Sequence, residues 1–139
     1  MRAARLWFGL PPAMVCLADV VLTLSGQPSA YWGGDYGAAV DVNPLALHAL
    51  AWHPAAFGVG AAAWLVTVVA VLALVPAPWA RALGLVVTFF HGVGAATWLV
   101  RWGVVGWVAA VALLVLAERL LAFSWARGGT ALRRRSDAP

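Results

Sequence analysis

Residues 40–75 read VDVNPLALHALAWHPAAFGVGAAAWLVTVVAVLALV, a polar hinge that opens a long apolar run. The run is too long for one simple crossing of a bilayer, which takes about 20 residues. Pro54 divides it, because a proline inside a helix removes a hydrogen bond and clashes with the preceding turn. The expected outcome is a short helix, Pro44–His53, lying at or dipping into the membrane interface, followed by a crossing over Ala55–Val75. One kinked, strongly tilted helix is the alternative. The hinge itself is a helix start. Asn43 has the oxygen to cap an N-terminus, Pro44 suits the first helical position, and the Asp41 carboxylate is favoured near the positive end of the helix dipole.

The rest of the chain repeats this apolar character. Of 139 residues, 64% are hydrophobic and only 10% charged, against about 25% charged in soluble domains. Mean hydropathy is +0.89. Further crossings are expected at about 6–24, 80–100 and 104–123, divided by Pro76-Ala77-Pro78-Trp79 and by Arg101-Trp102-Gly103. The fold class is therefore an all-α membrane protein, a bundle of about four transmembrane helices in one domain, residues 1–123. Residues 124–139 form a basic tail with the composition of a disordered cytoplasmic segment. Pro11-Pro12 should disturb the first turns of the first helix. That helix reads as retained, since Asp19 interrupts it and no A-x-A cleavage site follows.

The formal charge is +4, but its placement points away from nucleic acid. Arg2 and Arg5 precede the first apolar run, and Arg127, Arg133, Arg134 and Arg135 follow the last, as positive-inside topology produces. The expectation is a multi-pass protein of a bacterial cytoplasmic (inner) membrane, with both termini inside. Arg81 fits that rule and Arg101 breaks it. The loop from Ser25 to Val40 carries turn-forming glycines, with Tyr31, Trp32 and Tyr36 placed as interfacial aromatics. Most of the nine tryptophans fall near expected boundaries, as an aromatic belt does; Trp64, Trp98 and Trp107 sit deeper.

Ionisable groups inside apolar segments are costly and need a partner or a water-filled cavity. Asp19 lies in the first crossing with Thr23 one turn later on the same face. Its candidate partners are Thr23, a facing histidine and Arg101. His91 lies mid-way along the third crossing, where Gly92 and Gly94 allow close approach of a helix or ligand. Thr88, Gly92 and Ala96 form a small-residue stripe suited to helix packing. His48 and His53 are separated by roughly 140° around a helix axis, so they share no face. The candidate polar cluster is Asp19, Thr23, Asp41, Asn43, His48 and His91. A metal held by Asp19, His48 and His91 from three helices is one chemical reading of that set. A structural cluster is the plainer one. Glu118 is expected to pair with Arg81. No Walker loop, nucleophile elbow or cysteine pair implies a cofactor or a reaction, and the lone Cys16 precludes an intrachain disulfide.

Asp19-x-x-x-Thr23, followed after a loop by Asp41-Val42-Asn43-Pro44, resembles a family of short bacterial membrane proteins of unknown function whose pattern is D-x-x-x-T followed by E-x-N-P. The likeness covers the first third of the chain, with Asp41 standing where the family has Glu. It implies packed helices with a shared polar cluster on the outer side, and no activity. Three function classes follow from the residues. The first is an accessory or interaction subunit, or a homo-oligomer, whose partners are the lipid bilayer and other membrane subunits or itself. The second is a proton- or cation-coupled transporter or channel unit built on Asp19, His48 and His91. The third is an intramembrane metal- or haem-binding protein.

Overall fold

The computed structural model describes the backbone of residues 2–136 and the side chains of residues 6–129. The described residues form helices and connecting turns, with no strand among them. In chain order they are α1 (Arg2–Ser25), α2 (Ser29–Trp32), a 3₁₀ turn at Tyr36–Ala38, α3 (Pro44–Trp52), α4 (Pro54–Leu74), α5 (Ala77–Leu99), a second 3₁₀ turn at Val100–Trp102, and α6 (Gly103–Ser136). Three stretches are long and apolar enough to span a membrane: Leu6–Ser25, Pro54–Leu74, and the 53 residues of Ala77–Gly129.

The last stretch is folded back on itself. Gly103 has φ +68°, a left-handed conformation natural to glycine, and it breaks the helix after the 3₁₀ turn. On either side of it α5 and α6 run past each other. A Cβ at Gly106 would overlap the Leu99 carbonyl, one at Gly92 would lie 3.2 Å from Leu114, and one at Gly129 would lie 3.3 Å from Arg81. α1 is the centre of the bundle, packed against α4, α5 and α6.

Pro11 and Pro12 sit inside α1 without ending it, contrary to the expected disturbance. The reason is visible in what receives the carbonyls they free. A proline at position 11 deprives the Trp7 carbonyl of its helical donor, and the buried Ser124 hydroxyl of α6 donates to that oxygen instead. A proline at position 12 frees the Phe8 carbonyl, which lies against Gly84 of α5, 3.3 Å from where a Cβ would be. Hydroxyls and close neighbouring helices re-satisfy such groups where water is absent. The Phe8 side chain anchors the adjoining core with Val68, Leu72, Ala80 and Val87.

The 44–75 run resolves into two helices. Asn43 Oδ1 accepts from the Leu45 amide at 3.0 Å, capping α3 as expected. His53 is extended (φ −170°, ψ 145°), and its Nδ1 accepts from the Ala55 amide at 3.0 Å. His53 thus caps α4, with Pro54 at the first helical position rather than as a kink.

Residues 26–53 form a cap over one end of the bundle. The Gln27 side chain closes it, donating from Nε2 to the Thr23 and Val40 carbonyls and accepting from the Val40 amide, each at 2.9 Å. Tyr31, expected at the headgroup level, is instead fully buried with Leu50 and Phe57. Its ring meets Trp32 and Tyr36 edge-on, and burial followed by the neighbouring Tyr36 raises its phenol pKa.

At the other end, α6 does not stop at Phe123. It continues to Ser136, where a disordered tail was expected, because Ala131, Leu132 and the arginines that follow are good helix formers. Residues 137–139 lie outside the described residues. Glu118 pairs with its neighbour Arg119 (3.4 Å, both exposed) rather than with Arg81, whose guanidinium lies over the Phe8 ring.

Candidate functional site: an Asp–His–Trp chain on the floor of a cleft

α4 and α5 are joined by a tight turn and meet near it, through Val68, Leu72, Val75, Ala77 and Ala80. Toward the cap the two helices leave between them a cleft of about 660 Å³. α1 supplies Cys16, Asp19, Val20 and Thr23 to its lining, and the α3 start supplies Asp41 and Asn43. From α4 the lining takes Phe57, Gly60, Ala61 and Trp64, and a Cβ at Gly60 would meet nothing within 4 Å.

One chain of hydrogen bonds crosses the floor. The His91 Nδ1 and Asp19 Oδ2 atoms lie 2.8 Å apart, and Trp64 Nε1 lies 3.0 Å from His91 Nε2. An indole nitrogen only donates, so His91 Nε2 must present its lone pair. The ring proton therefore sits on Nδ1 and is donated to Asp19. With both bonds made, the imidazole is neutral and its tautomer is set by the carboxylate on one side and the indole on the other. The pair is not sealed in: the side chains of His91 and Asp19 are 23% and 19% exposed.

Gly94 makes this approach possible. A Cβ there would stand 2.9 Å from Asp19 Oδ1 and 3.0 Å from Oδ2. Gly26 does the same for a neighbouring wall, since a Cβ at that position would overlap the Trp98 ring. Trp98 lines the cleft with one part of its ring and carries the Arg101 guanidinium 4.0 Å from its centroid.

Of the residues expected in one cluster, Asp19, Thr23, Asp41, Asn43 and His91 all line the cleft. His48 does not. It is exposed on α3, so the triple Asp19, His48 and His91 is not assembled. Among the described residues no group of three or more His, Cys, Asp or Glu is placed to hold a metal. Asp41 does double duty, with Oδ1 accepting from the Asn43 amide at 2.7 Å. Burial raises its carboxyl pKa above the usual range, with Asp19 also raising it; the Asn43 hydrogen bond and Arg101 work in the opposite direction.

Sequence reasoning missed Trp64 as a partner of His91. It lay deep in an apolar run with no polar neighbour, and only its depth set it apart from the belt tryptophans. Of the partners expected for Asp19, which were Thr23, a facing histidine and Arg101, the carboxylate takes the histidine, His91.

Comparison with family models, characterised proteins and solved structures finds no match to this chain. The likeness of Asp19-x-x-x-Thr23 and Asp41-Val42-Asn43-Pro44 to a D-x-x-x-T, E-x-N-P pattern therefore rests on those residues alone.

Proposed function

We propose that this chain is a small polytopic membrane protein that takes up a proton at the Asp19–His91 pair and couples it to the state of the α4–α5 cleft, as a proton- or cation-coupled transport or channel unit. The observation that carries the reading is the partial exposure of a hydrogen-bonded carboxylate–imidazole pair on the floor of an open cleft. A purely structural pair has no need of that access. A proton arriving from the cleft would occupy the Nε2 lone pair. The imidazolium would keep its Nδ1–H bond to Asp19, whose charge stabilises it. Trp64 would lose its acceptor, and the side-chain hydrogen bond holding α4 to α5 across the cleft would be released.

The topology belonging to this reading is four crossings in a bacterial inner membrane, with both ends inside. The reversal at Gly103 supports it, since 53 residues are ample for two crossings of about 20 residues each. Arg2, Arg5, Arg81 and Arg127 would lie on the inner side and the cap, with Asp35 and Asp41, on the outer side. An accessory-subunit or homo-oligomer role drew on the small residues of α5. Gly84, Gly92 and Gly94 are taken up inside the chain, against Phe8, Leu114 and Asp19, so they offer no free face to a partner.

Reconstitution tests the reading. Liposomes containing the full chain and an internal pH dye should show a pH-dependent proton flux that Asp19→Asn and His91→Gln abolish. A wild-type protein that carries no flux, with the chain folded and inserted, would end it.

A further inference from the structure

We propose that the cleft binds a lipophilic organic cation, its charged head directed to the Asp19 carboxylate and its apolar body laid against the rings of Phe57, Trp64, Phe90 and Trp98. The inference deepens the proton-linked reading above by naming what the proton would exchange with.

Charge comes first. The lining holds two carboxylates, Asp19 and Asp41, and no Lys or Arg. His91 adds no charge while its Nε2 accepts from Trp64. In a site walled by apolar groups such a balance favours a cation and disfavours an anion. An unused polar atom comes second. Among the described residues Asp19 Oδ2 is engaged with His91 and Oδ1 has no hydrogen bond. Thr23, one turn beyond Asp19 on α1, is 4% exposed and also lines the cleft. A carboxylate oxygen facing a cavity is an acceptor open to a donor or a positive charge.

The walls decide between a bare ion and an organic one. A hard cation such as Ca²⁺ or Mg²⁺ wants about six or more oxygen ligands, and among the described residues no group of three or more His, Cys, Asp or Glu is placed to hold a metal of any kind. The cleft instead offers exposed aromatic surface: Trp64 is 48% exposed and Phe90 68%. Ring faces attract organic cations, more strongly where water is excluded. The volume, about 660 Å³, lies within the range of small-molecule sites. The chain also contains a small version of the contact. The Arg101 guanidinium, itself an organic cation, is stacked on Trp98 and acts electrostatically on Asp41.

The charged and titratable groups lining the site are Asp19 and Cys16 from α1, His91 from α5 and Asp41 ahead of α3, with none from α4; Arg101 lies outside the lining, on the Trp98 ring, and acts on Asp41. Protonation of His91 offsets the Asp19 charge, so cation and proton compete, and binding should weaken as pH falls.

The probe is radiolabelled tetraphenylphosphonium, measured by equilibrium dialysis on the full chain in nanodiscs, with tetraphenylborate as the anion of the same shape. The expected result is saturable binding of the cation only, weakened roughly tenfold or more by Asp19→Asn, as loss of a charge-assisted contact implies. Phe90→Ala, at an exposed ring that the fold does not need, should also weaken it, while Glu118→Gln should leave it unchanged. If Asp19→Asn does not fold by circular dichroism, Phe90→Ala and the cation–anion contrast decide. Equal binding of both probes, no saturable cation binding, or an affinity indifferent to the folded cleft variants would overturn the proposal. Cation binding without proton flux would sink the coupled-transport reading and leave this one standing; flux without cation binding would do the reverse.

Discussion

Replacing Gly94 with alanine adds one carbon atom at the point where the bundle is least able to accept it. The new Cβ would lie 2.9 Å from Asp19 Oδ1 and 3.0 Å from Oδ2, inside the distance at which a carbon and an oxygen can rest. The carboxylate must move, and the 2.8 Å contact with His91 goes with it. Side-chain hydrogen bonds between helices in a bilayer contribute about 0.6 kcal/mol on average and up to about 1.7. Overpacking costs typically about 1–3 kcal/mol. Alanine's better helix propensity returns up to about 1 kcal/mol. The balance is a loss of roughly 1–4 kcal/mol. Gly58→Ala is the matched control, since its Cβ meets nothing, and it should be neutral or stabilising by up to about 1 kcal/mol. Equilibrium unfolding of both variants in mixed detergent micelles reads the difference directly. If Gly94→Ala proved as stable as Gly58→Ala, the close approach of Asp19 to α5 would be refuted.

Other expected outcomes follow from single contacts. Ser124→Ala leaves the Trp7 carbonyl without a donor, a buried unsatisfied acceptor worth about 1–3 kcal/mol. Pro11→Ala restores an amide to the same oxygen, so a double-mutant cycle should show the Ser124→Ala cost largely disappearing in the alanine background, and additive effects would contradict the exchange. Gln27→Leu removes three hydrogen bonds that close the cap. At about 0.5–1.5 kcal/mol each, that is a loss of a few kcal/mol, with faster protease cleavage within residues 29–43 as its readout. Asp41 has a folded-state carboxyl pKa above its ordinary 3.8. Between those two values the folded form binds more protons, so this group's contribution to stability falls as pH rises through the window. Asp41→Asn should flatten that part of a stability–pH curve, and an unchanged slope would rule the group out as its source.

Much of the architecture was legible because hydropathy and proline are strong local signals. Asn43-Pro44 marked a helix start and Pro54 a division, and the long apolar runs located α4, α5 and the beginning of α6 within a few residues. What was not legible depended on neighbours distant in sequence. Pro11-Pro12 reads as a disturbance until Ser124, more than a hundred positions away, supplies the missing donor. Tyr31 reads as an interfacial aromatic until the Gln27 amide folds the cap over it. Helix in place of a disordered tail after Ser124 reflects local propensity outweighing a basic composition.

The candidate site shows the same division. Asp19 and His91 stood out as ionisable residues in apolar helices, and the need for a partner pointed each toward the other. His48 looked equivalent in sequence, but its position on α3 turns it out of the cleft. Trp64 carried no sign of its role, because an indole N–H finds its acceptor only once α4 is laid beside α5. Gly94 was legible as a point of close approach, though not as the seat of a carboxylate.

The tautomer of His91 is the most direct test of this site. Nitrogen NMR of the protein in bilayers, with histidine and tryptophan labelled, resolves the two ring nitrogens. At a pH where His91 is neutral, Nδ1 should carry the proton and Nε2 should be bare and hydrogen-bonded to the Trp64 indole. On acidification, Nε2 should protonate as the indole signal shifts. A proton on Nε2 in the neutral ring, or an indole signal indifferent to His91, would contradict the Asp19–His91–Trp64 chain and the coupling built on it.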